Sequence, residues 1–145
     1  MGELVLNQFG VTDRKGQVKN PDKGIRIEAL VKGEDLVYGD CVKLAHVDGA
    51  KLPVVEKITD VSDKVFGVVK YESAKANGYK AGDMVTIARH FSIIGCEADG
   101  AINAGAEVEA VIEGGKVATK TSGTVIGIAL TPALVKGDII LVELV

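Results

Sequence analysis

The chain of 145 residues contains no tryptophan, three prolines, two cysteines, two histidines and two methionines. Each shortage removes a class of protein. Two cysteines cannot staple a small secreted scaffold, and a chain of this length buries a core without staples. Cys41 and Cys96 are open to a disulfide or to two buried free thiols, the second being the expectation for a protein assembled in a cytoplasm. No stretch approaches the roughly 18 consecutive apolar residues of a membrane helix, and no signal-peptide pattern opens the chain. Synthesis and residence in a cytoplasm, with no membrane partner, are therefore expected. A net charge of −3 and a pI near 5.4 lack the basic excess of a general nucleic-acid binder.

Residues that carry chemistry are also scarce. Nucleophilic catalysis needs a Ser, Cys or Thr with a base in reach, and the only histidines, His46 and His90, lie in no recognisable motif. There is no Gly-x-Ser-x-Gly elbow, Walker loop or Gly-x-Gly-x-x-Gly. Cys41 and His46 are five apart on one predicted strand and so on opposite faces, which keeps them from converging on a metal. The Gly-Asp pairs read as turns entering strands. The expectation is a chain that is not an enzyme and holds no cofactor and no metal.

What is abundant is glycine. Eighteen glycines set between short Val, Ile and Leu runs mean many tight turns, and the fold class is read as all-β. The chain also repeats itself. Phe66-Gly67-Val68-Val69 followed by Ala81-Gly82-Asp83 and a β run returns as Ile126-Gly127-Ile128-Ala129 followed by Lys136-Gly137-Asp138 and a β run. Upstream, Gly39-Asp40-Cys41-Val42 is answered by Gly105-Ala106-Glu107-Val108, and Asp48-Gly49-Ala50-Lys51-Leu52 by Glu113-Gly114-Gly115-Lys116-Val117. The spacing is 66 for Gly39 to Gly105, 65 for Lys51 to Lys116 and 60 for Gly67 to Gly127, a drift confined to loops. Two copies are too few for a solenoid, so two related β-units sharing one core are predicted, about 27–92 and 93–145.

In the first unit Ile25 to Ala29 alternates like a half-buried strand, and Val42, Leu44 and His46 share one face at period two. Asp48-Gly49 predicts a tight hairpin with both turn positions at positive φ, and Pro53 confines the return strand to an edge or a strand start. Tyr71 to Gly78 is the best short-helix candidate, and Met84 to Ile94 reads as one long β run crossing between units. Residues 1–26 differ. After an apolar start at Leu4, Val5, Leu6 and Phe9, the span from Arg14 to Arg26 sets Arg14, Lys15, Lys19, Lys23 and Arg26 against one acid, Asp22, without a sustained period. This reads as an extended N-terminal arm.

The order of motifs resembles a known family. Gly39, Asp40 and Val42, then Phe66-Gly67-Val68, Gly82-Asp83, Ile102, Gly105 and Val108, Ile126-Gly127-Ile128, Gly137-Asp138, Val142 and Leu144 resemble the small capsid cement or decoration proteins of tailed bacteriophages, over about residues 36–145. The resemblance implies a barrel, tulip-like or sandwich β domain at 27–145 that binds the outside of an assembled shell of major capsid protein. It also implies a virion location on the capsid exterior after assembly in the host cytoplasm, and a homo-oligomer, a trimer before a dimer. The long arm departs from compact members. Leu4, Leu6, Phe9, Arg14, Lys15, Lys19, Lys23 and Arg26 are its expected capsid or subunit contacts. The alternatives are another β-rich virion component, such as a tail or head-fibre base protein, and a small β-barrel hydrolase or isomerase using His46 or His90.

Overall fold

The structure, a computed structural model, describes residues 14–33, 35–112 and 115–145. They form ten strands in two closed barrels. β1 (Arg26–Val31), β2 (Cys41–Leu44), β3 (Val54–Lys57), β4 (Gly67–Val69) and β5 (Met84–Ala88) close in the order β1-β3-β2-β4-β5. β6 (Ile93–Ala98), β7 (Glu107–Val111), β8 (Lys116–Thr119), β9 (Val125–Ala129) and β10 (Ile139–Leu144) close in the same order shifted by five, β6-β8-β7-β9-β10. In each barrel the first strand pairs parallel with the third, Leu30 opposite Val54 and Glu97 opposite Lys116, and the other neighbours run antiparallel. The chain is all-β and built of two pseudo-repeated units.

The repeat is one of residues and registers. Gly67 stands opposite Val42 and Gly127 opposite Val108. A Cβ at either glycine would lie 2.4 Å from a backbone oxygen of the next strand, that of Ala88 or of Glu143, so glycine is required there by close approach. Gly39 and Gly105 enter β2 and β7 at φ 85° and 87°, their N–H groups donating to the carbonyls of Val69 and Ala129. In both Gly-Asp turns the aspartate closes its own loop: Asp83 Oδ2 accepts the Lys80 N–H at 2.9 Å, and Asp138 Oδ2 accepts the Leu134 N–H at 2.8 Å. These are structural turns, as local side-chain to backbone bonding by Asp predicts.

Four local expectations differ. Asp48-Gly49 lies within the link 45–53, where Gly49 has φ 78° and Asp48 does not share its sign, so the turn is wider than a two-residue hairpin. Lys51 and Lys116 are consequently not equivalent, since Lys51 precedes β3 while Lys116 opens β8; the first link is longer and the turn residues alone matched. The run Met84 to Ile94 breaks between β5 and β6, with Phe91 at φ 67°, because the chain leaves one barrel and enters the next there. The expected helix over Tyr71–Gly78 is a 3-10 turn, Ser73–Lys75.

The two units do not share the one core expected of them: each closed barrel fills its own interior, and the first adds part of its outer face to the core of the second. Val42, Val69 and Ile87 point into the first barrel with Ala29, Val31, Leu36, Val55, Tyr79 and Val85. Residues one position away point outward by the period of two. Cys41, Val68 and Ala88 form a cross-strand row and join the core of the second barrel, with Ile94, Cys96, Ala110, Ile126 and Leu144. The outer face of the first barrel thus covers an end of the second. The matching row on the second barrel is Glu107, Ile128 and Glu143, and it is exposed.

Candidate functional site

Leu4, Leu6 and Phe9, with Val5, lie outside the described residues. The rest of the N-terminal segment lies along the second barrel. Gly16 N–H donates to Gly95 O at 2.8 Å, Gly95 N–H to Gln17 O at 3.0 Å and Lys19 N–H to Ile93 O at 2.8 Å, making an added antiparallel bridge at Val18 and Ile94. Tyr71 N–H donates back to Gly16 O, so the segment also touches the first barrel. Gly95 permits this approach, since a Cβ there would lie 2.2 Å from Arg14 O.

The five basic residues are dispersed by this path. The Arg14 guanidinium sits 4.4 Å from the Tyr71 ring centroid, a cation–π contact, and Tyr71 meets Tyr38 edge-on at 4.9 Å. Lys15 runs its stem across Gly39 and brings Nζ to 3.7 Å from Glu97, tying the barrels together. Lys19 and Lys23 are exposed. Arg26 belongs to β1, and its guanidinium donates to Pro21 O.

The seam contains the two cysteines and a buried acid. Cys41 and Cys96 are free and buried. Burial, followed by the Asp40 charge, pushes the Cys41 thiol up to about 12, and burial raises Cys96 as well, so both are protonated, inert thiols. Asp40 is 4% exposed. Its Oδ2 accepts the Val37 N–H at 2.8 Å and lies 3.6 Å from Lys57 Nζ, while Gly115 of the second barrel packs on it. Burial raises its pKa above the usual carboxylate value, against the pull of the Val37 N–H and of Lys57 and Lys15. The folded chain therefore binds this proton more tightly than the unfolded chain. The charged form costs stability, fully so above the folded pKa and not at all below the unfolded one. Asp40→Asn, which keeps an acceptor for Val37, is expected to gain melting temperature relative to the parent as pH rises from about 4 to 8; thermal melts at both ends check the sign.

At the other end of the first barrel Leu44 is exposed, and Phe66 and Arg89 are half-buried. Phe66 sits under Arg89, whose guanidinium carbon lies 4.0 Å from the ring centroid and whose Nε donates to Phe66 O at 2.7 Å. Beside it lies a cleft of about 170 Å³ between the barrels, lined by Lys64, Phe66, Arg89, His90, Val125 and Val145 among others. His90 Nδ1 is 2.7 Å from Val145 O. The loop above β4 is closed by Asp63, held low at about 2 chiefly by the Thr59 N–H and Lys43. In the second barrel Glu109 on β7, the counterpart of Lys43 by register, closes the matching loop by accepting the Thr121 and Gly123 N–H groups. The carboxylate has moved from loop to strand with its job unchanged.

His46 is bonded to exposed Asp48 at 2.8 Å, and it does not meet Cys41, which is buried in the seam. Among the described residues no group of three or more His, Cys, Asp or Glu stands as a metal site, and none of the helices is long and apolar enough to cross a membrane. The arrangement offers contact surfaces. Sequence reasoning missed the seam row, although paired apolar residues in Cys41-Val42, Val68-Val69 and Ile87-Ala88 signal strands buried on both faces.

No protein-family model matches the chain, and no curated protein matches it in sequence. Among solved structures it is similar to the head fibre gp8.5 N base in bacteriophage phi29, with 14% identity and a TM-score of 0.56 over 83% of this chain and 93% of that one. At that identity the likeness is one of fold, and it spans both barrels.

Proposed function

We propose that this chain is a structural component of a bacteriophage virion, acting as the base of a head fibre or a similar appendage seated on the outside of the capsid. The observation that carries the reading is the shared fold, which covers nearly all of the head-fibre base and most of this chain. It favours a head-fibre base over the compact cement protein that the motif order resembles. In this reading the protein acts by contact and not by catalysis, with the major capsid protein and further copies of itself as partners, a trimer being the expected state. It is assembled in the host cytoplasm and engages neither nucleic acid nor membrane.

The N-terminal contact is assigned to residues 1–13, because Gly16 to Asn20 are bonded along β6. A truncation that tests it must begin at Arg14, since one beginning at Ile27 would also strip β6 of its added strand. Purified full chain should sediment saturably with particles of the phage that encodes it, and the chain beginning at Arg14 should be retained less. Any part due to exposed charges weakens with salt, as screening acts beyond about 8 Å at physiological ionic strength. Failure of the full chain to sediment with those particles would overturn the proposal.

A further inference from the structure

The contact between the two barrels has two halves. One is a face, the row Cys41, Val68 and Ala88 on the outside of β2, β4 and β5. The other is a barrel end, where Ile94, Ala110, Ile126 and Leu144 share a buried cluster with that row. Gly115, just ahead of β8, packs against Gly39 and Asp40 at this contact.

Because the fold is duplicated, the chain owns a second face and a second end. The second face is Glu107, Ile128 and Glu143, with Ile128 37% exposed. The second end belongs to the first barrel. Ile27 pairs with Ile87 as Ile94 does with Val142, Leu44 pairs with Val55 as Ala110 does with Val117, and Phe66 and Arg89 stand where Ile126 and Leu144 stand. Its hairpin, 45–53, is the longer one and exposes Val47 and Leu52. Leu44 is 54% exposed where Ala110 is 6%. The end that is covered in the second barrel is open at Leu44 in the first, with Ile27, Phe66 and Arg89 half-buried and the last two beside the cleft between the barrels.

The differences between the two pairs are complementary. On the face, Cys41 and Ala88 are replaced by the acids Glu107 and Glu143; at the end, Leu144 is replaced by the base Arg89. We infer that the Glu107, Ile128 and Glu143 face of one copy docks on the open end of the first barrel of a second copy, repeating between molecules the contact that the barrels make within one. Inside the chain, Phe91 N–H donates to Leu144 O at 2.8 Å, which brings the end of β10 beside the turn that follows Ala88. The same placement between copies sets Glu143 beside Arg89, a charge-assisted pair, and lays Ile128 on Leu44 and Phe66. Such a contact is head-to-tail, so it closes into a ring or extends into a filament, and the expected trimer is the closed case.

The inference does not depend on a place in a virion, and its test uses the full chain alone. Sedimentation velocity across micromolar concentrations should show self-association. Ile128→Asp and Leu44→Asp, both at exposed positions, should each weaken it by about 30-fold or more while the diluted chain melts as before. Arg89→Glu and Glu143→Arg should each weaken it alone, and the two changes combined in one chain should recover it, because every contact then pairs Arg at 143 with Glu at 89. A chain that stays monomeric overturns the inference. So does an oligomer indifferent to Ile128→Asp and Leu44→Asp, or a charge-reversed double variant that folds but does not recover association.

Discussion

Val68→Asp is expected to destabilise the chain by about 3–5 kcal/mol, the cost of an uncompensated buried charge, while Ile128→Asp at the matching position changes the stability of the diluted chain by less than about 1 kcal/mol. Val68 is fully buried, the middle of the row that covers the second barrel; Ile128 occupies the same place on β9 and faces solvent. Against a total stability of about 5–15 kcal/mol, the first change is large enough to be read directly from a urea midpoint. Equal losses at both positions would mean that the two outer faces are buried alike. Equal tolerance would mean that the seam carries little of the stability.

Gly67→Ala and Gly127→Ala should each cost about 3 kcal/mol, toward the upper range for overpacking, and should do so to within about 1 kcal/mol of each other. Neither glycine has a positive φ, so the cost is steric: the new Cβ would meet a backbone oxygen at 2.4 Å in both barrels, and backbone cannot swing aside as a side-chain tip can. Gly100, with nothing within 4 Å of a Cβ, is the neutral control. Urea unfolding of the three variants checks the prediction, and a tolerated alanine at either position would break the equivalence of the two units.

The duplication was legible because glycine and Gly-Asp turns mark the few places where backbone geometry dictates residue type. Gly67 with Gly127, Gly39 with Gly105 and Gly82-Asp83 with Gly137-Asp138 all fall at matching places in the two barrels. The strand order within each barrel was not legible, since Val and Ile runs do not say which strand they pair with. The hairpin match of Lys51 to Lys116 failed for a related reason: turn residues recur wherever chains turn, and the two links differ in length. The basic run from Arg14 to Arg26 looked like one charged arm because charge carries no direction in a sequence. Once Gly16, Gln17 and Lys19 bond along β6, its side chains diverge, Lys15 to Glu97 and Arg14 to Tyr71. The asymmetry between Cys41-Val68-Ala88 and Glu107-Ile128-Glu143 was written in the sequence, but it takes the register to align the two rows.

Electron cryomicroscopy of purified particles of the encoding phage tests the central claim most directly. The account predicts density for a two-barrel body on the outer surface of the capsid, with further density leading from the start of the described N-terminal segment, beside Arg14, to the shell. Density for the two-barrel body at the tail or inside the head, or particles that lack it, would contradict the account.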